Sequence, residues 1–201
     1  LINDDVIDMD QIHKLILKEY KCAQLTPSSI QTGAIMITGE TATKRNAEEV
    51  IHTLSNEVGD FLVATAGADL EGILAAKGSG AFAYSEEHPS AVIANIDIGG
   101  GTANIAVVQN QSLLGTCTLH IGGRLLEFEG EIVRKVSPPI QKWCMQKGID
   151  ISIGTAKSSG EIQQLLEDML DALMLALKGE IIEMHPLLLG QLPSWAKKVD
   201  T

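Results

Sequence analysis

Seven consecutive residues, Ile96-Asp97-Ile98-Gly99-Gly100-Gly101-Thr102, constrain this chain more than any others. They separate two apolar runs with strand character, residues 91–97 and 104–109, and a third run, 115–121, follows after Asn110-Gln111-Ser112. Links this short force antiparallel pairing, so the middle of the chain is expected to be a meander. Three glycines let the backbone turn tightly and approach a ligand, with several N–H groups converging on phosphate oxygens. Asp97, at the end of the first strand, can hold a hydrated magnesium ion, and the Thr102 hydroxyl can add a hydrogen bond. A glycine-rich hairpin without a ligand is the plain alternative. Three glycines in a row cost more conformational entropy than a simple hairpin requires, which favours phosphate binding at Gly99, Gly100, Gly101 and Thr102.

The flanking segments alternate helix and strand. Asp8 followed by Gln11 reads as a helix start, and Ile12, Leu15 and Ile16 make one apolar stripe up to about Cys22, before Thr26-Pro27-Ser28-Ser29 breaks it. Residues 34–38 and 61–65 read as buried strands, with helical spacing of Ala47, Val50, Ile51, Leu54 and Val58 between them. Strand, helix and strand at this spacing predict a parallel unit with a right-handed crossover. Leu70, Ile73 and Leu74 mark a short helix ending at Gly78. Late in the chain, Ile162, Leu165, Leu166, Met169, Leu170, Leu173, Met174 and Leu177 fall on one helical face, opened by a Ser158–Glu161 capping box and closed by Gly179. His185-Pro186 and Leu192-Pro193-Ser194 read as loosely ordered connections. Three regions are expected: 1–90, 91–130, and a mainly helical 131–201. Together they give an α/β chain with a mixed sheet and flanking helices.

Composition narrows the function. With 15 basic against 26 acidic side chains and a net charge of -11, the chain lacks the clustered cations that nucleic acid requires. Aromatics are only 3%, so Leu, Ile, Val and Ala must fill the core. Cys22, Cys117 and Cys144 lack a CxxC pattern, which suggests buried thiols in a reducing compartment. No apolar run reaches the roughly 18 residues of a membrane span, and no secretory leader pattern opens the sequence, so a cytoplasmic protein is expected. The histidines are isolated, and His120 reads as a sheet residue. Gly78-Ser79-Gly80-Ala81-Phe82-Ala83 has the dinucleotide spacing but follows a helix, where a helix end is the better reading. Glu40, after a strand end, either faces a metal or phosphate-bound water or simply begins the next helix.

The motif Asp97-Ile98-Gly99-Gly100-Gly101-Thr102 resembles the second phosphate loop of the actin, sugar-kinase and heat-shock chaperone ATPases. Leu119-His120-Ile121-Gly122-Gly123 resembles the strand and double glycine that follow it there, and residues 69–80 stand where that superfamily has its first connecting helix. Within the superfamily, the run from Thr32 to Ala42, the stretch 61–70 with Val63-Ala64-Thr65-Ala66-Gly67, and Gly122-Gly123-Arg124-Leu125-Leu126 resemble the ethanolamine ammonia-lyase reactivating factors. The likeness covers about residues 1 to 130 well and the remainder weakly.

This resemblance implies an actin-like (ribonuclease H-like) ATPase fold and ATP/ADP with Mg2+ as cofactors. It implies an ATP-dependent, chaperone-like activity that frees ethanolamine ammonia-lyase, the partner, from damaged cobalamin, in the cytoplasm or at a bacterial microcompartment. It leaves homo-oligomerisation open and gives Asp97 the metal, with Asp97 and Glu40 as catalytic candidates. The superfamily also carries a first Asp-Gly hairpin, a late Gly-Gly pair and an acidic residue in the connecting helix. No such hairpin is read ahead of the first helix and residues 124–201 contain no Gly-Gly, while Asp69 and Glu71 are candidates for the third. ATP turnover is therefore expected of the full-length family member, and weak nucleotide binding of this stretch. A non-enzymatic interaction domain of the same fold and a small-molecule kinase are the alternatives.

Overall fold

The computed structural model describes residues 6–37, 45–58, 61–65 and 67–195, and Glu40 therefore lies outside the described residues. The chain divides into two compact units, 1–67 and 68–201.

In the first unit, α1 (Met9–Cys22) starts where Asp8 accepts a hydrogen bond from the Gln11 amide, as the capping pattern predicts. Strand β1 (Gly33–Ile37), helix α2 (Ala47–Val58) and strand β2 (Phe61–Thr65) follow, and β1 and β2 pair in parallel from Gly33↔Phe61 to Ile37↔Thr65. A small core forms from Ile7, Ile37, Ala47, Val50 and Leu54, with Ile12, Ile16 and Tyr20 of α1 packed on it. The Asn46 side chain holds the chain entering α1, accepting from the Ile7 amide at 2.8 Å and donating to its carbonyl at 2.9 Å. Strand β1 is not buried on both faces: its side chains alternate, with Ile37 inside and Met36 exposed. Leu15 is likewise exposed, because the face of α1 that reaches the core is the one carrying Met9, Ile12, Ile16 and Tyr20, at i, i+3 and i+4 spacing. Cys22, at the end of α1, is exposed and departs from the expectation of buried thiols.

In the second unit, α3 (Ala68–Gly78) and α4 (Ala81–Glu87) precede the meander β3 (Ile93–Ile98), β4 (Ala103–Gln109) and β5 (Ser112–Leu119). Gly78 does end α3, and Gly80, at φ 88°, is the N-cap of the following α4. The β4–β5 turn puts Asn110 and Gln111 both at positive φ, the geometry that suits a two-residue hairpin. Buried Ser85 of α4 steadies this turn by accepting from the Gln111 amide at 2.9 Å. The sheet order is β3-β4-β5-β8, all antiparallel, where β8 is Leu188–Leu189. Parallel and antiparallel pairing thus lie in separate ladders among the described residues. A hairpin of β6 (Leu126–Glu129) and β7 (Ile132–Val136) turns at Gly130 and leads to α5 (Pro138–Gln146) and α6 (Ser159–Leu177).

The two faces of the meander differ. Ala103, Ile105 and Val107 point into the main core with Leu119, Ile140, Trp143 and the buried side of α6. Ala106 and Val108 point the other way, onto Ala76 of α3 and Ala81 of α4. Helix α6 begins with the Ser158–Glu161 capping box. Its apolar stripe is wider than the core it meets: Leu165, Met169 and Leu173 are buried, while Leu166 and Leu170 are more than half exposed. The segment after α6 is better ordered than its prolines suggest. Leu187 and Trp195 are almost fully buried, and Trp195 donates from Nε1 to the Leu177 carbonyl at 2.9 Å. Among the described residues, no helix is long and apolar enough to cross a membrane.

Candidate functional site

The antiparallel register brings Asp97, Asn104 and Thr118 into one row, because Asp97 stands opposite Asn104 and Asn104 opposite Thr118. Directly paired residues share a face, here the face carrying α3. Asn104 and Thr118 are buried and satisfy each other, with Thr118 Oγ1 and Asn104 Oδ1 3.0 Å apart. Asp97 is half-buried at the end of the row nearest the glycine turn. Helix α3 comes close to this row because Gly72 has no side chain: a Cβ there would lie 3.5 Å from Asn104 Cβ. Asp69, at the start of α3, accepts from Thr116 Oγ1 at 2.7 Å. Glu71, the other acidic candidate on α3, has one carboxylate oxygen, Oε2, buried without a hydrogen-bond partner. A water or a hydrated cation satisfies that kind of acceptor.

The turn itself is closed by a hydrogen bond from the Gly99 amide to the Thr102 carbonyl at 2.9 Å. Gly99 and Gly100 are exposed, Gly101 is half-buried and Thr102 is buried. None of the three glycines has positive φ, so left-handed geometry is not what requires them. A Cβ on Gly99 or Gly100 would also meet only ordinary contacts, 3.7 Å from the Thr102 oxygen and 3.4 Å from Arg124 Cδ, and the close approach falls instead on Gly122. The Gly122-Gly123-Arg124 segment lies against the turn, where the Gly123 amide donates to the Gly99 carbonyl at 3.0 Å and the Arg124 amide to the Gly100 carbonyl at 2.7 Å. A Cβ on Gly122 would stand 2.5 Å from the Gly100 oxygen and 2.7 Å from the Gly101 nitrogen.

These two bonds orient the turn. The peptides are trans, and in a planar trans peptide the C=O of one residue points opposite to the N–H of the next. With the Gly99 and Gly100 carbonyls directed at residues 123 and 124, the amides of Gly100 and Gly101 face away from that segment. Two successive amides on one side of a turn are what an anion-binding concavity is built from. Asp97, Gly99, Gly100, Gly101 and Thr102 are therefore together on one strand–turn–strand unit. Arg124 is the residue that the motif alone does not place there; the double glycine ahead of it was the signal.

No group of three or more His, Cys, Asp and Glu side chains among the described residues could hold a metal alone. The thiols stand apart from this chemistry. Burial, with Asp69 adding to it, pushes Cys117 up to about 11, and burial also raises Cys144.

The family model described as "Ethanolamine utilisation protein EutA" matches residues 1–201. The chain belongs to the EutA family. Two EutA relatives are each described as "Ethanolamine ammonia-lyase reactivase EutA". That of Escherichia coli (strain K12) is 37% identical over 190 residues, covering 92% of this chain and 40% of the relative. That of Salmonella typhimurium is 39% identical over 164 residues, covering 80% of this chain and 35% of the relative. The chain therefore spans at most 40% of the length of the EutA relatives it matches. Among solved structures, the Aquifex aeolicus member of the Ppx/GppA protein family superposes with a TM-score of 0.52 at 13% identity, covering 89% of this chain and 48% of that one. This likeness shows the fold, the actin-like ATPase fold, in which the glycine turn stands between two antiparallel strands.

Proposed function

We propose that this chain is part of a reactivating factor for ethanolamine ammonia-lyase and that its glycine turn binds the phosphates of a nucleotide. Membership of the EutA family carries the reading. The orientation of the Gly100 and Gly101 amides supports it independently. Those amides receive phosphate oxygens, and the buried Thr102 closes the turn beneath them. Asp97 holds hydrated magnesium from the strand end. Glu71, with its unpartnered oxygen, is placed on the helix that covers Asn104 and is the better of the two acidic candidates for holding a water, because Asp69 is already engaged by Thr116. Bound ATP with Mg2+ supplies the transferable phosphoryl group whose loss separates two nucleotide states. In this reading the change of state drives release of damaged cobalamin, so that intact adenosylcobalamin can bind. The setting is the cytoplasm, beside the lyase, with or without a protein-shelled compartment.

The test uses the full-length protein with lyase inactivated by damaged cobalamin. Given ATP, magnesium and adenosylcobalamin, activity should return, and Asp97→Ala should slow the return at least tenfold. No recovery with the wild-type protein under those conditions would refute the proposal.

A further inference from the structure

Arg124 stands beside the glycine turn and, like Lys77 and Lys142, has no carboxylate partner among the described residues, where the ion pairs are Arg134–Glu129, Lys135–Glu127, Lys147–Asp168 and Lys157–Glu161. This holds although acidic side chains outnumber basic ones by 26 to 15. The side chain instead lies back on the glycine turn: its Cδ, Cγ and Nε are 3.4, 3.6 and 3.6 Å from the position a Cβ on Gly100 would occupy. The backbone of the same segment is already engaged, with the Gly123 and Arg124 amides bound to the Gly99 and Gly100 carbonyls. What residues 122–124 still present at the turn is therefore the exposed guanidinium.

We propose that Arg124 grips the outer phosphates of the bound nucleotide, supplying the positive charge that the glycine turn lacks. The inference rests on the reading of that turn as a phosphate site. A chain of net charge -11 repels a polyanion at long range, so binding requires a local cation. Asp97, one strand end away, makes that need greater. Arginine suits the task because its planar fork bonds phosphate oxygens in pairs, which a lysine cannot do. The stem is pre-positioned beside Gly100, at the edge of the turn, from which the long side chain can reach round to the amide side. The Arg124 backbone is fixed by its 2.7 Å bond to Gly100, and its stem rests where the missing Gly100 side chain leaves room. Gly100 thus serves two purposes, an outward amide and a seat for the arginine stem.

The experiment is calorimetric titration of the full-length protein, wild type and the variants Arg124→Gln, Arg124→Lys and Asp97→Ala, with ATP and with AMP in the presence of magnesium. Arg124→Gln should weaken ATP binding about ten- to a hundredfold, or about 1.4 to 2.8 kcal/mol, and leave AMP binding within about twofold. Arg124→Lys should fall between the two, because it keeps the charge and loses the fork. A disturbance of folding would weaken ATP and AMP together, so their ratio separates phosphate contact from structural damage. Equal ATP affinities for wild type and Arg124→Gln, with Asp97→Ala impaired, would overturn the role of Arg124 and leave the phosphate turn standing. A wild-type protein that binds neither nucleotide would overturn both. Equal loss of ATP and AMP in Arg124→Gln would overturn the grip and make Arg124 a support of the turn.

Discussion

Two adjacent glycines offer a controlled test of how the glycine turn is held. A methyl group on Gly122 would meet backbone, at 2.5 Å from the Gly100 oxygen, 2.6 Å from its carbonyl carbon and 2.7 Å from the Gly101 nitrogen. No flexible side chain can give way there, so the two segments must separate. Separation endangers the Gly123–Gly99 and Arg124–Gly100 hydrogen bonds. Overpacking costs about 1–3 kcal/mol, and each backbone hydrogen bond about 1 kcal/mol net. Gly122→Ala should therefore destabilise by roughly 2–4 kcal/mol. Gly123 provides the comparison, since a methyl there meets nothing within 4 Å and its φ is not positive. Gly123→Ala should be neutral, or stabilising by up to about 1 kcal/mol through the less flexible unfolded chain. Urea denaturation of both variants measures the difference. In a melting experiment on a unit of this size it corresponds to roughly 5–15 °C. Equal stability of the two variants would refute the argument that close approach, rather than backbone freedom, requires the second double glycine.

Two other outcomes follow from the second unit. Trp195→Ala should cost about 3–5 kcal/mol, as large aromatic truncations in cores do, and should make the segment after α6 sensitive to protease; Trp195 is 1% exposed and bonded to the Leu177 carbonyl. The capping box of α6 should make helix stability depend on acid. The Ser158 amide, then Lys157 and the Ser158 hydroxyl, lower the Glu161 carboxyl from its ordinary 4.5 to about 2. A carboxylate with a depressed folded-state value contributes stability that is full above its unfolded value and is lost as pH falls toward the folded one. The protection factors of amides in the first turn of α6, taken against the intrinsic exchange rate at each pH, should therefore fall between about pH 4.5 and 2, and Glu161→Gln should flatten that dependence.

What was legible in the sequence had a local cause. The Asp8 and Ser158 caps, the parallel pairing of residues 33–37 with 61–65 and the meander around Gly99-Gly100-Gly101 each depend on residues a few positions apart or on link length. The failures depended on distant partners. Met36 and Leu166 read as core residues by pattern and are exposed, because periodicity tells which side chains share a face and not whether anything covers it. The segment 187–195 read as loose because its prolines are visible in sequence, whereas its anchor, the carbonyl of Leu177, is 18 residues from Trp195.

The glycine turn shows both limits at once. Its three glycines suggest close approach of a ligand, and the body that packs on the turn is the chain's own Gly122-Gly123-Arg124 segment, with the tight fit at Gly122. That contact does not compete with the phosphate reading. By drawing the Gly99 and Gly100 carbonyls to one side, it turns the next two amides to the other. An isolated turn of three glycines would sample many orientations and lose entropy on binding an anion. Held by the backbone of residues 122–124, it would meet an anion already ordered. On the proposed phosphate reading, the two glycine clusters, separated by the whole of β4 and β5, work as a single device in which one supplies the amides and the other fixes their direction.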